Sequence, residues 1–298
     1  MKKGMLTAIV LMGIFCMAAG CGNAGTGSSR TTAKQTSSNG QTKVTVISRE
    51  EGSGTRDTFV QITGILKTDK EGRKIDRTTD EAVIVKDSKE MIQKVVKDPS
   101  AIGYVSLGEY LKNSDSGIKA LKIDGKEASK ENVKKDSYQL SRPFQLAYSG
   151  KLNELEEEFL RYVMSEGQGI VKKSYVPVGK KTSFLSLKPE GNLIIAGSTS
   201  VAPLMQELSD AYMEKNPNAK IEIKVTDSTS GLTAAMQGAC DFAMASRNLK
   251  DYEQELLHSK TIAKDGIAVI VNEQNDQNDI SMKRLQQIFT AQITTYEK

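Results

Sequence analysis

Residues 44–56 read VTVISREEGSGTR, from Val44 to Arg56. Val44-Thr45-Val46-Ile47 has the β-branched character of a strand. Arg49 stands just beyond it, the turn Glu51-Gly52-Ser53-Gly54-Thr55 follows, and a helix is expected from about Arg56. Two later segments repeat the plan. Leu193-Ile194-Ile195-Ala196 runs into Gly197-Ser198-Thr199-Ser200 and then an amphipathic stretch, Ala202 to Glu214, that would bury Leu204, Met205, Leu208 and Tyr212. Ile221, Ile223 and Val225 alternate with polar residues, as a strand with one wet face does, and lead to Asp227-Ser228-Thr229-Ser230-Gly231. Strand, Gly/Ser/Thr loop and helix recurring in this way argue for α/β lobes on mostly parallel sheets.

The remaining body fits that class. Ala82-Val83-Ile84-Val85 and Ile102 to Ser106 read as strands. Asp87 with Glu90 resembles a capping box for a helix whose buried face is Ile92, Val95 and Val96. Leu152, Leu155, Phe159, Leu160 and Val163 mark a helix ending near Gly167, a C-terminal glycine. Residues 179–191 read as a connector. Ile267 to Val271 is a continuous apolar run of the kind central strands carry, and Ser281 is placed to cap a last helix carrying Leu285, Ile288 and Phe289.

The N-terminus sets the compartment. Lys2-Lys3, the apolar stretch Met5 to Phe15 and Ala18-Ala19-Gly20 before Cys21 form the three regions of a secretory signal, residues 1–20. That stretch is shorter than the roughly 20 residues a bilayer-spanning helix needs. Small residues before a cysteine resemble a bacterial lipobox, so Cys21 is expected to be diacylated, and two chains make a stable anchor. Residues 21–43 are dominated by Gly, Ser, Thr, Asn and Gln, a flexible tether with a reach of roughly 25 Å. The body is then extracytoplasmic, held at the outer face of the bacterial cytoplasmic membrane by the lipid alone.

Several function classes find no support. Hydrophobic content of 38% and charged content of 26% are those of a soluble globular protein, and the +4 net charge is scattered, not a nucleic-acid footprint. Cys16 leaves with the signal and Cys21 takes the lipid, so Cys240 has no disulfide partner. A single histidine, His258, expected at the surface, offers neither a metal site nor a triad. There is no G-x-S-x-G elbow and no phosphate-cradling G-x-x-x-x-G-K loop. An enzyme is not expected, and neither a cofactor nor a metal.

The three loops share a chemistry. A helix N-terminus exposes unpaired N–H groups and about half a positive charge, which seats an anion. Small hydroxyl residues let the anion approach the backbone and add donors. Each loop alone also reads as ordinary helix capping. Three together, with Arg49 to offer a planar bidentate fork, favour a tetrahedral oxyanion.

At these residues the chain resembles the phosphate-binding proteins of ABC importers, the PstS family. Ile47 to Arg56 is similar to that family's Arg-x-(Asp/Glu)-Gly-Ser-Gly-Thr segment, Ala196 to Met205 to its opening loop and helix, and Val225 to Leu232 to its next loop. Asp265 to Val269 and Leu285 to Thr294 also match, so the resemblance spans nearly everything from Val44 onward. It implies a two-lobed periplasmic-binding-protein-like (type II) fold, a ligand cleft between the lobes and a two-crossing hinge. It implies phosphate ligands at Arg49, Ser53, Gly54, Thr55, Thr199, Ser200, Ser228 and Ser246, with Glu51 orienting Arg49. Asp227 is a further candidate near the ligand, and Arg247 reads either as a ligand or as a surface ion pair. The implied partners are inorganic phosphate and the permease subunits of the importer, with the binding protein a monomer.

Two departures stand out. The Arg-Gly-Ser-Gly-Thr half normally comes second, yet here it comes first, which points to a circular permutation through the connector. Lobe two would be 44–141 with 276–298, and lobe one 142–275. The other departure is Ser246, which aligns with an aspartate that accepts phosphate's remaining proton in many members. A serine adds no charge to repel sulfate, so sulfate or molybdate binding stays an alternative, as does a surface phosphate sensor or adhesion module.

Overall fold

The computed structural model describes residues 43–296. The expected signal segment, Cys16, Cys21 and all of the expected tether before Lys43 lie outside the described residues. In chain order, β1 (Thr45–Arg49) leads into α1 (Gly54–Ile62), followed by the hairpin β2 (Leu66–Thr68) and β3 (Lys74–Asp76). Next come β4 (Val83–Val85), α2 (Ser88–Lys97), β5 (Ala101–Ser106), α3 (Leu107–Lys112), β6 (Ile118–Ala120), β7 (Lys122–Ile123) and α4 (Lys130–Lys134). The long strand β8 (Ser141–Tyr148) precedes α5 (Glu154–Met164), α6 (Gln168–Ser174) and β9 (Val176–Pro177). Then follow β10 (Gly191–Ser198), α7 (Ala202–Lys215), β11 (Ala219–Thr226), α8 (Ser228–Met236), β12 (Phe242–Ala245) and α9 (Asp251–Leu256). β13 (His258–Asn272), β14 (Asp279–Ile280) and α10 (Met282–Phe289) complete the body.

The main sheet runs β11-β10-β12-β8-β13-β5-β1-β4. Its two ends are parallel: β10 pairs with β11 and β12, and β1 with β4 and β5. Its middle is antiparallel, because β8 and β13 run side by side and pair outward with β12 and β5. The expected parallel character therefore holds at the ends and fails at the centre. The apolar run Ile267 to Val271 is fully buried but belongs to an antiparallel strand covered on both faces, which erases the alternation that normally marks one.

The core divides with the sheet. One pair of apolar clusters packs on the β5-β1-β4 end and a second pair on the β11-β10-β12 end, giving two lobes. β13 gives Ile262 and Ala263 to one lobe and Ile267 to Val271 to the other. The second passage between lobes thus falls inside β13, well before the 275 expected from sequence, because the later residues pair with β5.

Packing fixes the loops that matter. Phe59 of α1 stacks on Tyr104 of β5 with centroids 4.0 Å apart and meets Phe289 of α10 edge-on at 4.8 Å. Each such buried ring contributes about 1.5–3 kcal/mol relative to exposure, so the start of α1 is held firmly. In the other lobe, Phe159 of α5 packs edge-on against Tyr212 of α7 at 5.3 Å.

Local expectations were corrected in two places. α2 buries Met91, Ile92 and Val95, while Val96 turns toward solvent at 38% exposure, because the helix faces the core along the 91/95 line. α5 ends at Met164, and Gly167 is not a left-handed cap: its φ is −56° and it opens α6. Close approach favours glycine there, since a Cβ would lie 3.0 Å from the Tyr162 carbonyl oxygen and 2.8 Å from Leu208 Cδ2. Residues 179–190 carry no regular structure, yet they are tied down. Phe184 packs edge-on against Tyr162, and buried Glu158 accepts hydrogen bonds from Ser186 Oγ and Leu187 N at 2.6 and 2.8 Å. Among the described residues no helix is long and apolar enough to cross a membrane.

Candidate functional site

The three Gly/Ser/Thr loops meet at one place between the lobes. Ser53 caps α1, so the helix opens at Gly54, earlier than the expected Arg56. Thr55 Oγ1 lies 2.8 Å from Ser200 Oγ of the opposite lobe. Gly54 packs against Ser228 and Ser246 so closely that a Cβ would lie 2.7 Å from Ser246 Oγ. Ser246 N donates to Ser228 Oγ at 3.1 Å and Ser198 Oγ donates to Ser246 Oγ at 3.0 Å. Ser53, Thr55, Ser198, Ser200, Ser228 and Ser246 are all buried, and Thr199 is half-buried.

Three helices begin here, and their ends are treated differently. Ser53 and Asp227 cap α1 and α8, as the capping alternative had it. Asp227 spends its carboxylate on Ser230, accepting from N at 2.8 Å and from Oγ at 2.5 Å. At α7 the capping position is Val201, which offers no side-chain acceptor. The hydroxyl of Ser200 and the first N–H groups of α7 are therefore not consumed by a cap.

Arg49, 1% exposed, brings a guanidinium to this cluster from the end of β1. Its Nη2 donates to Glu50 Oε1 at 2.7 Å, to Lys86 O at 2.6 Å and, across the lobes, to Thr199 Oγ1 at 3.1 Å. Its Nε donates to Glu50 Oε2 at 3.3 Å. The orienting carboxylate is thus Glu50, not Glu51. Glu51 lies in the turn after β1 and is exposed. Tyr104 Oη accepts from Arg49 N at 3.1 Å and bonds Ser48 Oγ at 2.8 Å, fixing the strand end from below.

Arg247 is an ion-pair residue, but a buried one, 4% exposed. It forks onto Glu253 at 2.6 and 2.8 Å and donates to Thr229 Oγ1 at 3.2 Å. Its Nε lies 3.0 Å from Asp57 Oδ2 of α1, a cross-lobe ion pair without hydrogen-bond geometry. Burial pushes Glu253 up, but the bonds from Arg247 and Lys250 N outweigh it and hold the carboxyl below its ordinary value. At Asp57 burial wins over Arg247 and the carboxyl is raised. Thr229 also donates from N and Oγ1 to Gly52 O, both at 3.2 Å, so the first and third loops are joined directly.

A further pair was not read from the sequence. Arg142 of β8 and Asp265 of β13 face each other in register where the strands pass between lobes. Arg142 Nε and Nη2 both donate to Asp265 Oδ2, at 3.1 and 3.0 Å. Its Nη1 reaches Thr55 Oγ1 at 2.6 Å and Ser246 O at 3.3 Å. Both side chains are sealed from solvent, at 0% and 1% exposure. Burial raises Asp265 against the pull of Arg142 and lowers Arg142. The trace in the sequence was a charge flanking each apolar run, Arg142 before Pro143-Phe144 and Asp265, next to Lys264, before Gly266-Ile267.

The resulting site is rich in donors. Hydroxyls, helix N-termini and the Arg49 guanidinium converge from both lobes, while Glu50, Asp57, Asp227 and Asp265 are each engaged with a cation or a cap. Such a place accepts an anion with several oxygens. His258 lies exposed at the start of β13 against Tyr148, and Cys240 is a buried thiol pushed up by burial.

Comparison with known proteins finds solute-binding relatives. A PBP superfamily domain model matches residues 27–167 and 185–298. The phosphate-binding protein PstS 2 of Streptococcus agalactiae serotype V is 40% identical over 268 residues, 89% of this chain and 90% of its own. Its counterpart in Streptococcus pneumoniae serotype 4 is 40% identical over 301 residues, 99% of this chain and 98% of its own. The crystal structure of a phosphate ABC transporter, phosphate-binding protein from Streptococcus pneumoniae TIGR4 superposes with a TM-score of 0.70 at 39% identity, covering 85% of this chain and 98% of that one.

Proposed function

The chain belongs to the PstS family of phosphate-binding proteins, and on that premise we propose that it captures inorganic phosphate outside the cell and delivers it to the permease of an ABC importer. The observation that carries this is the Arg49 guanidinium reaching Thr199 across the lobes, at the meeting of three helix N-termini. Arg49, Ser53, Gly54, Thr55, Thr199, Ser200, Ser228 and Ser246 are the proposed ligands, with Glu50 bracing Arg49. Asp227 and Arg247 act around the site, as cap and as cross-lobe ion pair. Anion binding closes the lobes about β8 and β13. No nucleophile with a paired base is needed, because the work is capture and release.

The rotated order of the two halves is part of the proposal. The chain ends of a permuted protein must lie close to where the parent chain was continuous. Val44 N donates to Thr294 O at 2.8 Å, and Lys43 bridges Thr295. The match to the pneumococcal relative runs through the whole chain, so that relative shares the order. A lipid on Cys21, with residues 22–43 as tether, would keep the monomer within reach of its permease.

One observation favours a second ligand. Ser246 Oγ sits among hydroxyls, bonded to Ser198 and facing Ser228 at 3.4 Å. No charge there would repel fully ionised sulfate. Calorimetric titration of residues 44–298 with phosphate, sulfate and molybdate decides the matter. One-to-one phosphate binding with little sulfate response is expected; equal sulfate binding would overturn the assignment of phosphate as the specific ligand.

A further inference from the structure

Arg142 is an unusual side chain to find beneath an anion site. It is sealed from solvent, and Asp265 occupies two of its donors. Such a pair is self-sufficient electrostatically, yet Nη1 is not turned toward Asp265. It donates instead to Thr55 Oγ1 in one lobe, at 2.6 Å, and to the Ser246 carbonyl in the other, at 3.3 Å.

The direction of that first bond has a consequence. A guanidinium has no acceptor, so Arg142 always donates and Thr55 Oγ1 always accepts. Thr55's own proton must then leave in another direction. Ser200 Oγ, 2.8 Å away, is the neighbour placed to receive it. A hydroxyl that accepts there keeps its own proton for a third group. Arg142, Thr55 and Ser200 thereby form a chain of donors pointing one way, from the floor of the cleft outward. Without Arg142 both hydroxyls could rotate and present lone pairs, which an anion's oxygens would repel.

We propose that Arg142, held by Asp265, is a positioning residue for anion capture, fixing the Thr55 hydroxyl as a donor to Ser200 and thereby the Ser200 hydroxyl as a donor toward the ligand. The inference rests on the reading of the three-loop cluster as an oxyanion site. It assigns Arg142 no contact with the anion; its effect passes through Thr55. Asp265 keeps the guanidinium from reaching the anion itself and sets its rotation.

A double-mutant cycle tests this. Arg142→Lys keeps a cation opposite Asp265 but loses the planar fork that spans Asp265 and Thr55. Thr55→Val removes the oriented hydroxyl. Phosphate titration of full-length protein, wild type, each single variant and the double variant, is expected to show about tenfold weakening for each single change. The double variant should bind no more weakly than Thr55→Val alone, and Thr55→Ser, which restores the hydroxyl, should restore the sensitivity to Arg142→Lys. If Arg142→Lys does not fold, the paired replacement Arg142→Met with Asp265→Leu removes both charges together, a change buried pairs often tolerate, and the same cycle is run on that background. Losses that multiply, or an Arg142→Lys protein that binds like the wild type, overturn the inference alone. A wild type that binds neither phosphate nor sulfate overturns the oxyanion reading and this inference with it.

Discussion

The three-loop cluster and the seam beneath it are made of similar parts, arginine and short polar side chains, but they are balanced differently. In the cluster Arg49 shares its fork among Glu50, the Lys86 carbonyl and Thr199, and the Ser198, Ser228 and Ser246 hydroxyls bond one another in arrangements that rotation can exchange. In the seam Arg142 and Asp265 are sealed from water and matched to each other. An exchangeable anion needs donors whose present partners can be traded for its oxygens. A joint between lobes needs the opposite, a charge whose partner is never traded. Breaking the pairing in the seam should therefore act first on folding, reaching binding only through the Arg142 bond to Thr55, and changes in the cluster should act on binding.

The sharpest break is Asp265→Asn. It keeps the shape and leaves the Arg142 charge buried without its counter-ion, a loss of about 3–5 kcal/mol. The urea midpoint measured in phosphate-free buffer should fall accordingly with the slope unchanged. A midpoint that stayed put would mean the seam is open to water, contrary to its 0% and 1% exposure.

Arg49→Ala is the converse. Glu50, released from its pair, is 26% exposed and can rehydrate, so the unfolding midpoint should move little. Phosphate affinity should fall at least a hundredfold, ~2.7 kcal/mol. Titration and melting of the same sample separate the two effects, and a large loss of stability with unchanged affinity would invert the comparison.

The contrast also explains what could be read from the sequence. The cluster was legible because each loop is contiguous: Gly52 to Thr55, Gly197 to Ser200 and Asp227 to Gly231 carry their glycines, hydroxyls and following helix within a few residues. The strands and the amphipathic helices were legible for the same reason. The seam was not, because Arg142 meets Asp265 only through the register of two distant strands, and both run antiparallel where a parallel sheet was expected. The Glu50 and Glu51 exchange belongs here too. Motif spacing names Glu51 alone, and only the course of the turn after β1 brings the neighbouring Glu50 along the guanidinium instead. Arg247 was read as a ligand or a surface pair; its burial beside Glu253 follows from how α9 packs, which no local pattern encodes.

Asp57 lies between the two regimes. It joins α1 to Arg247 across the lobes at 3.0 Å, yet burial holds its carboxyl above the ordinary value. A raised carboxyl contributes stability that is complete below its unfolded pKa and lost as pH rises through the folded one. Above the folded pKa that contribution is gone, so in that range Asp57→Asn should leave the unfolding midpoint unchanged or slightly higher, and it should flatten the midpoint's rise on acidification. The cross-lobe attraction is lost all the same. Phosphate affinity should weaken about fivefold, ~1 kcal/mol, mostly through faster release. A midpoint that dropped above the folded pKa would place Asp57 with the seam rather than with the cluster.

The smallest effect belongs to the rim. Lys112 of α3 and Glu207 of α7 also pair across the lobes, at 2.9 Å, but with side chains 34% and 40% exposed. Solvent screens such a pair, and holding two long side chains in one geometry costs entropy, so its net contribution is about 0.2–1 kcal/mol. Lys112→Ala should change phosphate affinity about twofold at low ionic strength, and the difference should vanish near 0.5 M salt, where the screening length is well below 8 Å. The Arg247–Asp57 contribution, shielded by its surroundings, should survive the same salt. Titrating both variants at low and high salt thus sets an exposed, hydrogen-bonded cross-lobe pair against one whose facing atoms are buried and make no hydrogen bond.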